Sequence, residues 1–229
     1  RAAALRLAAE AQIFLIVGLC LLVIIAEIFM AEFILLLAPG FADTPERLRA
    51  AIDLARITIP YLPLISIVAL WAAIANAHDH FKAGAAAPII ANICFIAGAL
   101  LIPLIASQMG MMRAVPVAVA LLVAGFVQLV FLYWTLARID AVPALVWPRL
   151  SDAGRKMWRN FLPAAAGAGG MQINLLIDLI LASLLPVGAI SWLYYADRVA
   201  QLPLGIVGIA LGTALLPRLS AAEAGSRPA

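Results

Sequence analysis

The sequence predicts an all-α fold, a polytopic bundle of membrane-spanning helices, and three observations predict it. Of the 229 residues, 66% are hydrophobic and 12% charged, and the mean hydropathy is +1.10. A soluble domain holds about 45–50% apolar and about 25% charged residues. Several apolar runs reach the roughly 20 residues that carry a helix across the hydrocarbon of a bilayer. No strand-length alternation punctuated by turns occurs, so the pattern of a transmembrane barrel is missing.

Hydropathy places six spans at about 11–37, 58–76, 84–106, 113–137, 160–185 and 189–217. The first ends in APGFADTPE (38–46), where Thr44 is the expected N-cap, Pro45 the first helical residue and Glu46 the acid of the first turn. The helix that follows, about 44–57, sets Leu48, Ile52, Ala55 and Ile59 on one face and its charges on the other, the pattern of a helix lying on the membrane surface. A second amphipathic stretch, SDAGRKMWRNF from Ser151, puts Arg155, Lys156 and Arg159 beside Met157, Trp158 and Phe161. Starting at Arg1 and ending in GSRPA just after a helix, the chain reads as a piece of a longer protein.

Six spans put alternate loops on opposite sides. One side collects ten basic residues: Arg1, Arg6, Lys82, Arg138, Arg149, Arg155, Lys156, Arg159, Arg218 and Arg227. The other holds four, Arg47, Arg49, Arg56 and Arg113. The positive-inside rule makes the first side cytoplasmic, with both ends of the chain on it. The net charge of +3 then reflects topology and attraction to membrane lipids rather than a nucleic-acid partner. Cys20 and Cys94 lie in apolar runs without metal spacing and read as small buried hydrophobes. His78, Asp79 and His80 read as a solvated cytoplasmic turn rather than a metal site, and no metal is expected. Glu27 and Glu32 read as interfacial, and the five tryptophans mostly as an aromatic belt at span ends. No catalytic triad, HExxH, Walker loop or GxGxxG is present, which argues against an enzyme.

The informative charges are in the last two spans. Between Arg159 and Arg218 the charged residues are Asp178, Asp197 and Arg198. With a hairpin turn at Val187 and Gly188, Asp178 and Arg198 are both expected about 15 Å deep. An Arg or Asp there costs about 2.5–3.5 kcal/mol on insertion scales, so each needs protein, a partner or water. On the last helix Ser191, Tyr194, Arg198, Gln201, Gly205, Gly208 and Gly212 form one stripe, and Gly167, Gly170, Asn174 and Asp178 repeat the pattern on the helix before it. Leu193, Val199, Leu204 and Ile206 are left for lipid. Two readings stand: an ion pair of Arg198 with Asp178 or Asp197 that pins the helices, or a ligand site. The stripe of Gly205, Gly208 and Gly212 also suits tight helix packing. A guanidinium stays charged when buried and matches phosphate oxygens, so phosphate is the expected ligand.

APGF (38–41), PYLPLIS (60–66), NAHDHFKAGAAAP (76–88) followed by Asn92, and SWLYYADRVAQLPLGIVGIALGTALLPRLS (191–220) together resemble the MurJ (MviN) family of lipid II flippases. The resemblance implies a fourteen-helix, two-lobe fold of the multidrug/oligosaccharidyl-lipid/polysaccharide exporter superfamily, of which this chain holds helices three to eight. Residues 1–140 then finish the N-terminal lobe, 141–159 form a cytoplasmic amphipathic linker, and 160–229 open the C-terminal lobe. It implies transport of the lipid-linked peptidoglycan precursor across the bacterial inner membrane by alternating access. Arg198 falls on a cavity arginine that contacts the diphosphate; Tyr194 and Gln201, which share its stripe, are the further substrate-binding candidates. The family's other cavity arginines belong to its first two helices, so this piece alone is not a working flippase. Asp178, with Asn174 and Asp197 nearby, is either a counter-ion for Arg198 or a cation ligand, which leaves a sodium ion or the membrane potential as the coupling. Cell-wall synthesis proteins are further expected partners. The alternatives are another exporter of the superfamily, for lipid-linked polysaccharide or for drugs, and a nontransporting membrane scaffold.

Overall fold

The computed structural model describes residues 2–109, 114–147, 151–201 and 203. Among them the secondary structure is helical: α1 (Ala2–Ile28), α2 (Met30–Leu37), a 3-10 turn (Pro39–Phe41), α3 (Pro45–Thr58), α4 (Tyr61–Ala77), α5 (Phe81–Met109), α6 (Val115–Ala137) and α7 (Asp152–Ser183). A further helical stretch begins at 189 and is described to 201. Among the described residues five helices are long and apolar enough to cross a membrane, α3 and α4 counting together as one. Most of the sixth expected span lies outside the described residues.

The first span differs from its expectation. Its helix starts at Ala2, because Leu5, Ala8 and Ala9 pack on the body and give the polar residues Arg6, Glu10 and Gln12 a helical frame. It breaks at Phe29 (φ −104°, ψ 29°) before resuming as α2. Thr44 does occupy the N-cap of α3, but its side chain makes no capping bond. α3 meets α4 through Ile59 and Pro60, both in αR geometry. Pro60 has no N–H to continue the ladder, so the chain bends there without leaving helical space. The basic stretch after Ser151 is the start of α7 itself, a helix that continues unbroken to Ser183 through Pro163.

α4 and α6 form the centre, with α5 against both, α1 against α4 and α3 against α6. The core gathers Val68, Ile74 and Ala75 of α4, Ala83 and Ala87 of α5, and Leu132 and Leu136 of α6. Alanines and glycines hold these backbones close: a Cβ added at Gly98 of α5 would come 2.5 Å from Ala120 Cβ of α6. That is how membrane helices associate where lipid supplies no hydrophobic drive. The large apolar side chains point outward, including Ile24, Ile93, Ile96, Phe126 and Val130. In water such a surface would aggregate; in a bilayer it is the solvated face.

Candidate functional site

The last two helices meet in a hairpin whose turn spans 184–188 and closes at Gly188, φ +104°. The turn consumes residues that the spacing argument had counted as helix. Asp178 therefore sits about 7–8 Å from the C-terminal end of α7, while Arg198 lies about 13–14 Å along the next helix, at 1.5 Å per residue. The two are not level, contrary to the expectation from spacing. Asp178 instead faces Ile190, Leu193, Tyr194 and Asp197 across a cleft of about 190 Å³ whose other wall is Leu175, Leu179 and Ala182. Leu193, assigned to lipid by the stripe, lines this cleft. The face turned to α7 is thus 190-193-194-197, next to the stripe that carries Arg198.

Arg198 is exposed, and its guanidinium lies over the Tyr194 ring, 5.0 Å from the centroid. Such a cation–π contact leaves the planar N–H donors free at their edges. Asp197 Oδ2 accepts a hydrogen bond from Gln201 Nε2 at 2.6 Å. The ion pairs among the described residues are Arg6 with Glu10 and Arg56 with Glu27, so neither Asp178 nor Asp197 holds Arg198 here. The Tyr194 ring also meets Tyr195 edge-on at 6.1 Å. Asn174 is exposed on α7, four residues before Asp178. Gly167 and Gly170 have open space where a Cβ would be. Gly205, Gly208 and Gly212 lie outside the described residues. The arrangement offers an unpaired cation on one helix face and two carboxylates on a neighbouring cleft.

The family model described as lipid II flippase MurJ matches residues 2–227. The chain belongs to the MurJ family. It is 36% identical over 211 residues to the probable lipid II flippase MurJ of Rickettsia prowazekii (strain Madrid E), covering 91% of this chain and 40% of that protein. It is 38% identical over 190 residues to the probable lipid II flippase MurJ of Rhizobium meliloti (strain 1021), covering 83% and 35%. With the lipid II flippase MurJ of Burkholderia cenocepacia it shares 32% over 193 residues, covering 81% and 36%. The chain spans about two fifths of the length of the relatives it matches, 40% for the first of them.

Three polar residues of this MurJ-family chain, Glu10, Gln12 and Gln128, were not singled out by the sequence. Glu10 is 4% exposed and accepts from Ser151 N–H and Oγ–H at 3.2 and 2.7 Å. Gln12 accepts from Trp71 Nε1 at 2.7 Å, so Trp71 is a bundle contact rather than a belt residue. Gln128 donates from Nε2 to the Ala87 carbonyl at 2.7 Å and leaves its buried Oε1 without a partner. Glu27, read as interfacial, has Arg56 Nε 3.7 Å away. The only sequence signal for Glu10, Gln12 and Gln128 was a polar residue inside an apolar run. Among the described residues no group of three or more His, Cys, Asp or Glu side chains could hold a metal. The His78 and His80 rings place Nδ1 2.9 and 2.7 Å from the carbonyls of Ile74 and His78.

Proposed function

We propose that the intact protein to which this chain belongs is a transporter rather than an enzyme, moving lipid II across the bacterial inner membrane, and that Arg198 contacts the diphosphate of its substrate. Membership of a family described as lipid II flippases supports the first part. The observation that carries the second is the Arg198 guanidinium: it rests on an aromatic ring, on a polar helix face, and among the described residues no carboxylate pairs with it. A fork of N–H donors held by a ring is prepared for bidentate contact with phosphate oxygens. Tyr194 and Gln201 then position it, Tyr194 through its face and Gln201 by occupying the Asp197 carboxylate that would otherwise compete. Alternating access of two lobes supplies the motion, with the substrate held in turn toward inner and outer water. The ten basic residues on one side orient both chain ends to the cytoplasm. Asp178, with Asn174, is a cation ligand or a counter-ion in another state of the cycle, which makes sodium or the membrane potential the coupling.

The test is rescue of bacterial cells depleted of their own lipid II flippase by the full-length parent, with membrane levels checked by immunoblot. Wild type should rescue, Arg198→Ala should not, and Arg198→Lys, which keeps the charge but loses the fork, should fall between. Equal rescue by all three would remove Arg198 from substrate contact. Failure of well-expressed wild type would favour another exporter of the superfamily or a nontransporting scaffold.

A further inference from the structure

Ser151 is the N-cap of α7, its hydroxyl accepting from Gly154 N–H at 3.1 Å. Its own N–H and hydroxyl both donate to one oxygen of Glu10, 141 residues away on α1. A carboxylate at a helix N-terminus also meets the positive end of the helix dipole. The rest of α7 has little hold on the body. Trp158 meets Phe14 edge-on at 6.3 Å, residues 159–168 are exposed, and the next anchor is Ser183 Oγ, which accepts from Gly40 N–H at 3.2 Å. α7 is therefore moored at its two ends and stands clear between them.

The inner mooring has a replacement partner built in. Glu10 Oε1 lies 3.9 Å from Nε of Arg6, one turn earlier on α1, with an Arg6 side chain that is 80% exposed. When Ser151 departs, Arg6 can close on the carboxylate, so the buried charge is never left without a donor. Removing the partner of a buried charge is what normally makes such contacts irreversible. Here one charge has two partners on different oxygens, a loose one at 3.9 Å fixed on its own helix and a close one on a helix that can leave.

We propose that Glu10 is the positioning residue of a releasable cytoplasmic latch. It holds the first turn of α7 against α1 in one state and is left to Arg6 alone when α7 swings away. The proposal rests on the alternating-access reading, in which α7 opens the second lobe. Spin labels at Ala4→Cys and Ala153→Cys, both exposed sites, in the intact parent with its native cysteines replaced, report the separation across the latch in lipid nanodiscs. Two distance populations are expected. Ser151→Gly, which retains a tolerated N-cap residue, should raise the ratio of long to short distances roughly threefold to tenfold. Arg6→Gln should shift the ratio the opposite way, because the partner that supports the buried charge after release is lost. A purely structural hydrogen bond would not yield opposite shifts from its two sides. A single distance that neither variant moves overturns the latch, and if Ser151→Gly fails to fold, an unchanged ratio in Arg6→Gln does so alone. Because the distances are read without substrate, a parent that fails to rescue flippase-depleted cells still reports on the latch.

Discussion

Replacing Gly40 with alanine should loosen the C-terminal end of α7 more than any change to the hydrogen bond formed there. A Cβ at Gly40 would land on the Ser183 carbonyl oxygen and come 2.9 Å from the Leu184 nitrogen. Those are backbone atoms, so no rotamer relieves the overlap and the 38–41 turn must back away from α7. Overpacking of this kind costs about 1–3 kcal/mol. The displacement also breaks the 3.2 Å bond from Gly40 N–H to Ser183 Oγ, adding about 0.5–1.5 kcal/mol. The total is about 1.5–4.5 kcal/mol. Ser183→Ala is the internal control, since it removes the acceptor but leaves the close approach intact; it should cost only about 1 kcal/mol. Unfolding of the purified parent in mixed micelles, titrated with denaturing detergent, ranks the three proteins. The expected order is wild type, Ser183→Ala, then Gly40→Ala. A Gly40→Ala protein as stable as wild type, or a Ser183→Ala protein as damaged as Gly40→Ala, would refute the close-approach argument.

Gly98→Ala places its new methyl against Ala120, so it should cost about 1–3 kcal/mol, and adding Ala120→Gly should recover most of that loss; the same detergent titration gives the coupling, and simple additivity would contradict the contact. Gln128→Leu removes a buried oxygen that has no partner along with one hydrogen bond to Ala87, so it should change stability by less than about 1 kcal/mol in either direction. A loss well beyond that, read from the same unfolding curves, would mean that Oε1 has a partner in the intact protein.

Much of the fold was legible in the sequence because its signals are local. Span positions follow from sums over about 20 residues, and the observed helices overlap the expectations at 58–76, 84–106 and 113–137 within a few residues, apart from the extra turns of α5. The start of α1 was missed because Arg6, Glu10 and Gln12 lower the local hydropathy, although each is accommodated by a partner from elsewhere or by solvent. The candidate site was half legible. The stripe of Ser191, Tyr194, Arg198 and Gln201 is a matter of helical spacing. The cleft between Asp178 and Asp197, and the place of Leu193 in it, depend on where the hairpin turn takes up residues. A shift of five residues moves Asp178 by about 7–8 Å along its helix.

The solvent, the helical class and the family were all readable from the sequence alone. Each is a sum or a pattern over neighbouring residues, written in transfer free energies and helical period. Only the tertiary structure decided which polar groups satisfy one another. Glu10 finds Ser151, Gln12 finds Trp71 and Gly40 finds Ser183 across separations of 141, 59 and 143 residues. Those meetings depend on the rotation and spacing of packed helices, and small residues such as Gly98 and Ala120 set that spacing. No local period encodes such distances, since they exist only once every helix is in place.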